Sequence, residues 1–131
     1  MLFKKIFLDS NEKFEIIDLT EMINDMISIE NGVVNIFSKH STSAIVVNEK
    51  ESNLLEDLEL FLNDLCNDHS WKHDLLDNNA ESHLKSFILS SGETIPVSNY
   101  HLDLGTWQSV FFVELDGPRK NRCINLTFIG D

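Results

Sequence analysis

The side chains best suited to chemistry near neutral pH are the histidines, His40, His69, His73, His83 and His101. Imidazole gives and takes protons in that range, and its neutral nitrogen ligates zinc and similar divalent ions. His73 and His83 fall ten residues apart within "WKHDLLDNNAESHLKS", residues 71–86, with Asp74 and Asp77 between them. His40 opens "HSTSAIVVNE" just after a β-like segment. Imidazoles from three separate elements could leave an open position on a metal, and a carboxylate such as Asp74 could accept a ring proton and fix the tautomer. No H-x-x-x-H or H-E-x-x-H pair is present, so spacing alone leaves surface or capping histidines as the alternative. His69 and His101 read as ordinary exposed positions. Ser41, Thr42 and Ser43 place hydroxyls beside His40, but no third member of a nucleophilic triad is identifiable.

The positive charge is concentrated. Arg119 and Arg122 are the only arginines, and both sit in "DGPRKNR" beside Lys120. A guanidinium fork suits phosphate or carboxylate, so a small anion site is one reading and a solvated turn is the other. In "LGTWQ", Gly105 interrupts two apolar runs, consistent with a bulge or a close approach, and Gln108 puts a carboxamide beside Trp107.

These residues need elements to hold them. Residues 13–19 and 33–38 are rich in β-branched and aromatic side chains and are expected to be strands, as is "SAIVVN". Between the first two, Met22, Ile23, Met26 and Ile27 share a helical face, with Thr20 as its N-cap and Gly32 as its stop signal. Leu54, Leu55, Leu58, Phe61, Leu62 and Leu65 recur at helical spacing opposite an acidic face, which predicts a helix packed into the core. "AESHLKSFIL" predicts a third helix, opened by an Asn78–Glu81 capping box. The remainder reads as β: "ETIPV", a turn at Ser98 and Asn99, "YHLDL", "TWQSVFFVEL" and "RCINLTFIG". The last two segments, separated by "DGPRK", are expected to form a hairpin. Roughly eight strands with three inserted helices predict a mainly antiparallel α+β domain.

At 131 residues, 42% of them hydrophobic, the chain suffices for a single core and domain. A formal charge of −12 opposes binding of nucleic acid or an anionic membrane over the surface as a whole. No apolar run is long enough to span a bilayer, and the N-terminus lacks a signal-peptide pattern, so a cytoplasmic protein is expected. Cys66 and Cys123 form no C-x-x-C pair and are expected to pack as small hydrophobes.

Taken in order, "HSTSAIVVNEKE", "WKHD", "NNAESHLKS" and "LGTWQSVFFVELDGPRKNR" resemble the YjbQ family, also called UPF0047 or the secondary thiamine-phosphate synthase family, over nearly the whole chain. The resemblance implies a jelly-roll-like β-sandwich assembled as a homotrimer with sites near subunit contacts. It also implies a polar pocket whose positions match His40, Asn48, His73, Asp74, Asn79 and His83 here, with Gly105, Thr106, Trp107, Gln108, Asp116, Gly117, Pro118 and Arg119 from the two later motifs. Ser41 and Ser43 depart from the commoner threonine and alanine. On this basis the expected metal ligands are His40, His73 and His83 on a divalent ion, zinc first. The expected catalytic groups are His40, Asp74, Asn48 and Gln108, and the expected substrate contacts are Arg119, Thr106, Trp107 and Asn79. The implied function is an enzyme acting on a small phosphorylated metabolite, with weak thiamine-phosphate synthesis as a side activity. The alternative is a non-catalytic trimeric protein that binds a metabolite or metal.

Overall fold

The computed structural model describes residues 1–131. Eight strands and three α-helices follow in the order β1 (Leu2–Leu8), β2 (Glu15–Asp18), α1 (Thr20–Met26), β3 (Asn31–Ser38), β4 (Ser43–Glu49), α2 (Ser52–Cys66), α3 (Ala80–Leu89), β5 (Gly92–Ser98), β6 (His101–Leu102), β7 (Gln108–Glu114) and β8 (Arg122–Gly130). A 3-10 turn at Lys72–Leu75 precedes α3. The strands make two antiparallel sheets, β1-β8-β3-β5-β6 and β2-β7-β4. This is the expected α+β, jelly-roll-like sandwich.

Alternation in β1, β3 and β8 sends Ile6, Val34, Ile36, Ile124, Leu126 and Phe128 inward, where they meet Ile45, Val110 and Phe112 of the smaller sheet. Leu19 and Ile23 close one edge of that core. The smaller sheet is covered on its other face too, where Ala44, Val113 and Leu115 are buried with Phe14, Ile16, Val46 and Leu89 packed on them. Burial on both faces explains why "VFFV" in β7 is continuously apolar rather than alternating.

The expected β7–β8 hairpin does not form. β7 pairs with β2 and β4, while β8 pairs with β1 and β3, so the "DGPRK" connection crosses from one sheet to the other. A buried ion pair accompanies the crossing: Arg122 donates through Nε to Glu114 Oε1 at 2.8 Å and through Nη2 to Glu114 Oε2. Ser10 Oγ and the Asp116 amide also donate to Glu114, and Thr42 accepts from Arg122. Burial alone raises the Glu114 carboxyl, but these donors, Arg122 first, bring it below the ordinary range.

Local signals were redirected by packing. Thr20 is not the cap of α1: its hydroxyl accepts from Val110 N–H, while Asp18 accepts the Thr20 N–H. Gly32 does not stop that helix, which ends at Met26; it lies in β3 at φ +153, where a Cβ would fall 2.1 Å from the Ile129 carbonyl oxygen. The Asn78–Glu81 capping box is absent as well, because Asp74 Oδ1 reaches the Ala80 N–H at 3.0 Å. In α2 only Leu62 and Cys66 are buried, whereas Phe61 and Leu65 are exposed, so the predicted core packing holds for one edge of the apolar stripe alone. Ile16, Val46, Leu54, Leu55, Leu58 and Phe61 border a cavity of about 350 Å³ between α2 and the smaller sheet. Both cysteines are free, and burial raises the Cys66 thiol.

Candidate functional site

The short turn at Lys72–Leu75 delivers His73, and α3 delivers His83 one turn beyond its start. Their rings meet edge to face with centroids 4.8 Å apart. The two histidines separated by ten residues are therefore one pair in space. They share a cleft of about 380 Å³ with Trp71, Lys72, Leu84 and Phe87. His83 also borders a second cleft of about 530 Å³, together with Asn35, Phe37, Ser41, Phe87 and Gly92.

A line of hydrogen bonds joins this pair to the arginine turn. His73 Nε2 lies 2.9 Å from Asn79 Oδ1, and Asn79 Nδ2 donates to Asp116 Oδ2 at 2.9 Å. Asp116 accepts from Arg119 Nη2 on the same oxygen at 2.9 Å and from Lys13 Nζ on the other at 2.8 Å. Burial tends to raise the Asp116 carboxyl, yet the hydrogen bonds from Asn79, Lys13 and Arg119 outweigh it and hold the group at about 2. Arg119 Nε is taken by the Asp116 carbonyl at 2.9 Å, and its side chain is still 51% exposed. The guanidinium edge that remains is free to meet an anion. Arg122 is not: it belongs to the buried pair with Glu114.

Gly117 keeps this turn close to the rest of the chain. A Cβ there would lie 2.0 Å from the Glu12 carbonyl oxygen and 2.9 Å from Ser10 Oγ, and its N–H donates to the Lys13 carbonyl at 3.0 Å. The motif needs glycine because backbone lies where a side chain would stand.

His40 occupies a different environment. Its Nε2 accepts the Cys123 N–H at 2.8 Å, which puts the lone pair on that nitrogen and the proton of the neutral ring on Nδ1. Burial, followed by the charge of Arg122, lowers its pKa. The adjacent Ser41 and His83 line one cleft. No group of three or more His, Cys, Asp or Glu side chains is gathered as a metal-ligand set in the single chain. The fit to a metal is thus partial: His73 and His83 stand together, and the accepting nitrogen of His40 is already engaged.

Asp74, expected to orient an imidazole, instead caps α3 through Ala80. At His73 that role falls to Asn79, and Asp77 Oδ2 is nearer than expected, 3.7 Å from Nε2. Sequence reading gave Asn79 a place in the pocket but not this one, and it left Lys13 out altogether. No spacing signal marks Lys13, because it reaches Asp116 from more than a hundred residues away.

The other expected residues lie elsewhere. In the β4–β7 register Ser43 is opposite Glu114, whereas Glu49 is opposite Gln108 and Asn48 opposite Ser109. The seven residues of β7 extend about 20 Å. Asn48, Thr106, Trp107 and Gln108 therefore sit at one end of β7, and Asp116 and Arg119 beyond the other. Gln108 Oε1 accepts the Gly105 N–H at 2.8 Å, closing a tight loop that leaves Trp107 73% exposed. Asn48 Oδ1 turns to the Glu49 N–H. Within one chain the two groups do not share a pocket. His69 and His101 are exposed, as expected.

A family model described as "UPF0047 protein YjbQ-like" matches residues 4–131. A UPF0047 protein of Methanothermobacter thermautotrophicus is 49% identical over 119 residues, covering 88% of this chain and 83% of its own. A YbjQ-like protein of unknown function from Sulfolobus solfataricus superposes with a TM-score of 0.93 at 40% identity, covering 99% of this chain and 97% of that one. A hypothetical protein from Aeropyrum pernix gives a TM-score of 0.94 at 36% identity over the full length of both chains.

Proposed function

This chain belongs to the YjbQ-like UPF0047 family, and from that premise we propose that it binds and transforms a small phosphorylated metabolite beside His73 and His83. The observation that carries this reading is the hydrogen-bonded line from His73 through Asn79 and Asp116 to Arg119. It puts a proton-transferring pair and an anion-binding fork on one rigid framework, the combination that phosphate-ester or diphosphate chemistry uses. Arg119 anchors the phosphate through its exposed edge, and Lys72 adds positive charge at the cleft.

A divalent ion, zinc by ligand type, belongs to the proposal with His73 and His83 as its protein ligands. His40, the third expected ligand, would have to give up its bond from Cys123 to join them. When bound, such an ion would polarise a phosphoryl oxygen or activate water. The proposal carries weak thiamine-phosphate synthesis, in which a hydroxymethylpyrimidine carbon bonds to a thiazole nitrogen as pyrophosphate leaves, as a side activity that the family resemblance implies. The reading also takes the protein to be a homotrimer. Phe3, Phe7, Phe37 and Ile129 are exposed on the outer face of the larger sheet among Lys5, Asn35, Asn125 and Thr127, a mixed apolar and polar face of the kind that copies of a chain share.

The test is phosphate binding. Arg119→Ala is expected to weaken binding of inorganic phosphate or pyrophosphate about tenfold or more by calorimetry while leaving the melting temperature within a few degrees. Unchanged affinity would reduce Arg119 to a solvated turn residue. A substrate-dependent turnover assay on tag-free, metal-analysed protein separates the enzyme from a non-catalytic binding protein.

A further inference from the structure

The orientation of one amide decides which nitrogen of His73 is available. Asn79 stands between His73 and Asp116, with Oδ1 2.9 Å from the ring Nε2 and Nδ2 2.9 Å from a carboxylate oxygen. Asp116 is ionised at neutral pH, and its side chain is only 12% exposed. A carboxylate can only accept, so it faces the NH₂ of Asn79. Turning the amide over would set oxygen against oxygen in a poorly solvated position. Lys13 and Arg119 hold the carboxylate from its two oxygens and stop it from rotating away. With the amide so fixed, its oxygen faces His73, and an oxygen that can only accept requires Nε2 to be the donor. The Asp77 carboxylate, 3.7 Å from the same nitrogen, favours the same arrangement.

We propose that Asp116 and Asn79 are positioning residues that keep the proton of neutral His73 on Nε2 and leave Nδ1 as its only lone pair. Any base or ligand function of His73 then passes through Nδ1. That last step rests on the pocket proposed above, whereas the place of the proton does not. The arrangement is opposite to that of His40, whose Nε2 accepts from backbone and whose proton sits on Nδ1. Two imidazoles of one protein are thus held as different tautomers, each by a fixed partner.

Long-range proton–nitrogen correlation spectra of the full chain, with ¹⁵N-labelled histidine and no ligand, test this at a pH of about 8, where an ordinary imidazole is neutral. Comparison with His73→Gln assigns the ring. The wild type is expected to show His73 as a single Nε2–H tautomer. Asn79→Leu, which can neither accept nor donate, is expected to give nitrogen shifts averaged between tautomers. Asn79→Asp combined with Asp116→Asn exchanges the carboxylate and the amide, so that an acceptor still faces the ring and a donor still faces the acceptor, and it is expected to restore the single Nε2–H form, which a space-filling role would not require. A wild-type ring protonated on Nδ1, a wild-type ring that averages, or an Asn79→Leu spectrum matching the wild type would each overturn the proposal. The wild-type spectrum by itself can overturn the proposal even where a variant fails to fold, and the variants test whether Asn79 and Asp116 are what fix the proton; loss of phosphate binding in Arg119→Ala leaves these readings untouched.

Discussion

Asp116 is the residue on which most of the site converges. It accepts from Asn79, Lys13 and Arg119, and its carboxyl sits at about 2 against an ordinary 3.8. A carboxyl depressed on folding stabilises the native state fully above its ordinary value, and that stabilisation fades as pH falls from about 4 toward about 2. Its size is on the order of 1–2 kcal/mol once the exposure of Lys13 and Arg119 is allowed for. In urea unfolding, the wild type should therefore be clearly more stable than Asp116→Asn near a pH of about 7, with the difference shrinking near about 3. A constant difference across that range would mean that the carboxylate charge is not what the neighbours hold. Asp74 calls for a different experiment, since its oxygen serves the first turn of α3 rather than an imidazole. Asp74→Ala should lower stability by about 1 kcal/mol, as loss of a helix-capping acceptor does, while Asp74→Asn, which keeps an acceptor, should cost less. Neither should alter the His73 spectrum.

At the scale of elements, α2 shows how little a periodic stripe says about its partner. Leu62 is 1% exposed and Phe61 60%, although both belong to the same apolar run. Leu62→Ala should cost about 2–4 kcal/mol in chemical denaturation, through lost burial and the cavity left behind, and Phe61→Ala less than about 1 kcal/mol. Similar losses at both positions would show that α2 is packed more tightly than its geometry indicates. The β7–β8 crossing makes the same point for strands. Asp116, Gly117 and Pro118 are turn residues in either topology, so local chemistry marked the turn correctly without fixing whether the next strand returned alongside β7. The pairing was decided by where β8 found neighbours, between β1 and β3, and by the Glu114–Arg122 pair buried at the crossing.

For the molecule as a whole, the outer face of the larger sheet is one of the surfaces on which a single chain leaves large apolar side chains exposed. Phe3 and Phe7 are 74% and 62% exposed on β1, and Phe37 and Ile129 stand on the same face of the neighbouring strands. If these side chains meet those of other copies, light scattering should give roughly 45 kDa, three times the 15.0 kDa chain. Phe3→Asp combined with Phe7→Asp should then shift the mass toward one chain while leaving the circular dichroism of the fold intact, because neither side chain supports the core. A wild-type mass of about 15 kDa would remove the trimer from the proposed function. No helix is long and apolar enough to cross a membrane, in line with the hydropathy of the sequence.

What the sequence determined by itself was local and compositional: the bounds of α3, the run of β8, the α+β class, and, through its motifs, the family. Periodicity and turn chemistry act over a few residues, and those were available in one dimension. The motifs put His73, Asn79, His83 and Arg119 among the expected pocket residues; the fold joins His73 to Arg119 through Asn79 and Asp116 and sets His83 against His73. Tertiary structure alone decided the rest. It brought Lys13 to Asp116, sent Asp74 to a helix end, gave His40 a backbone partner at Cys123, and placed Gln108 and Arg119 beyond opposite ends of one strand. Each of these depends on which strand lies beside which. That choice is made by burial of whole faces and by the need to partner buried charge, and neither can be read from the spacing of residues along the chain.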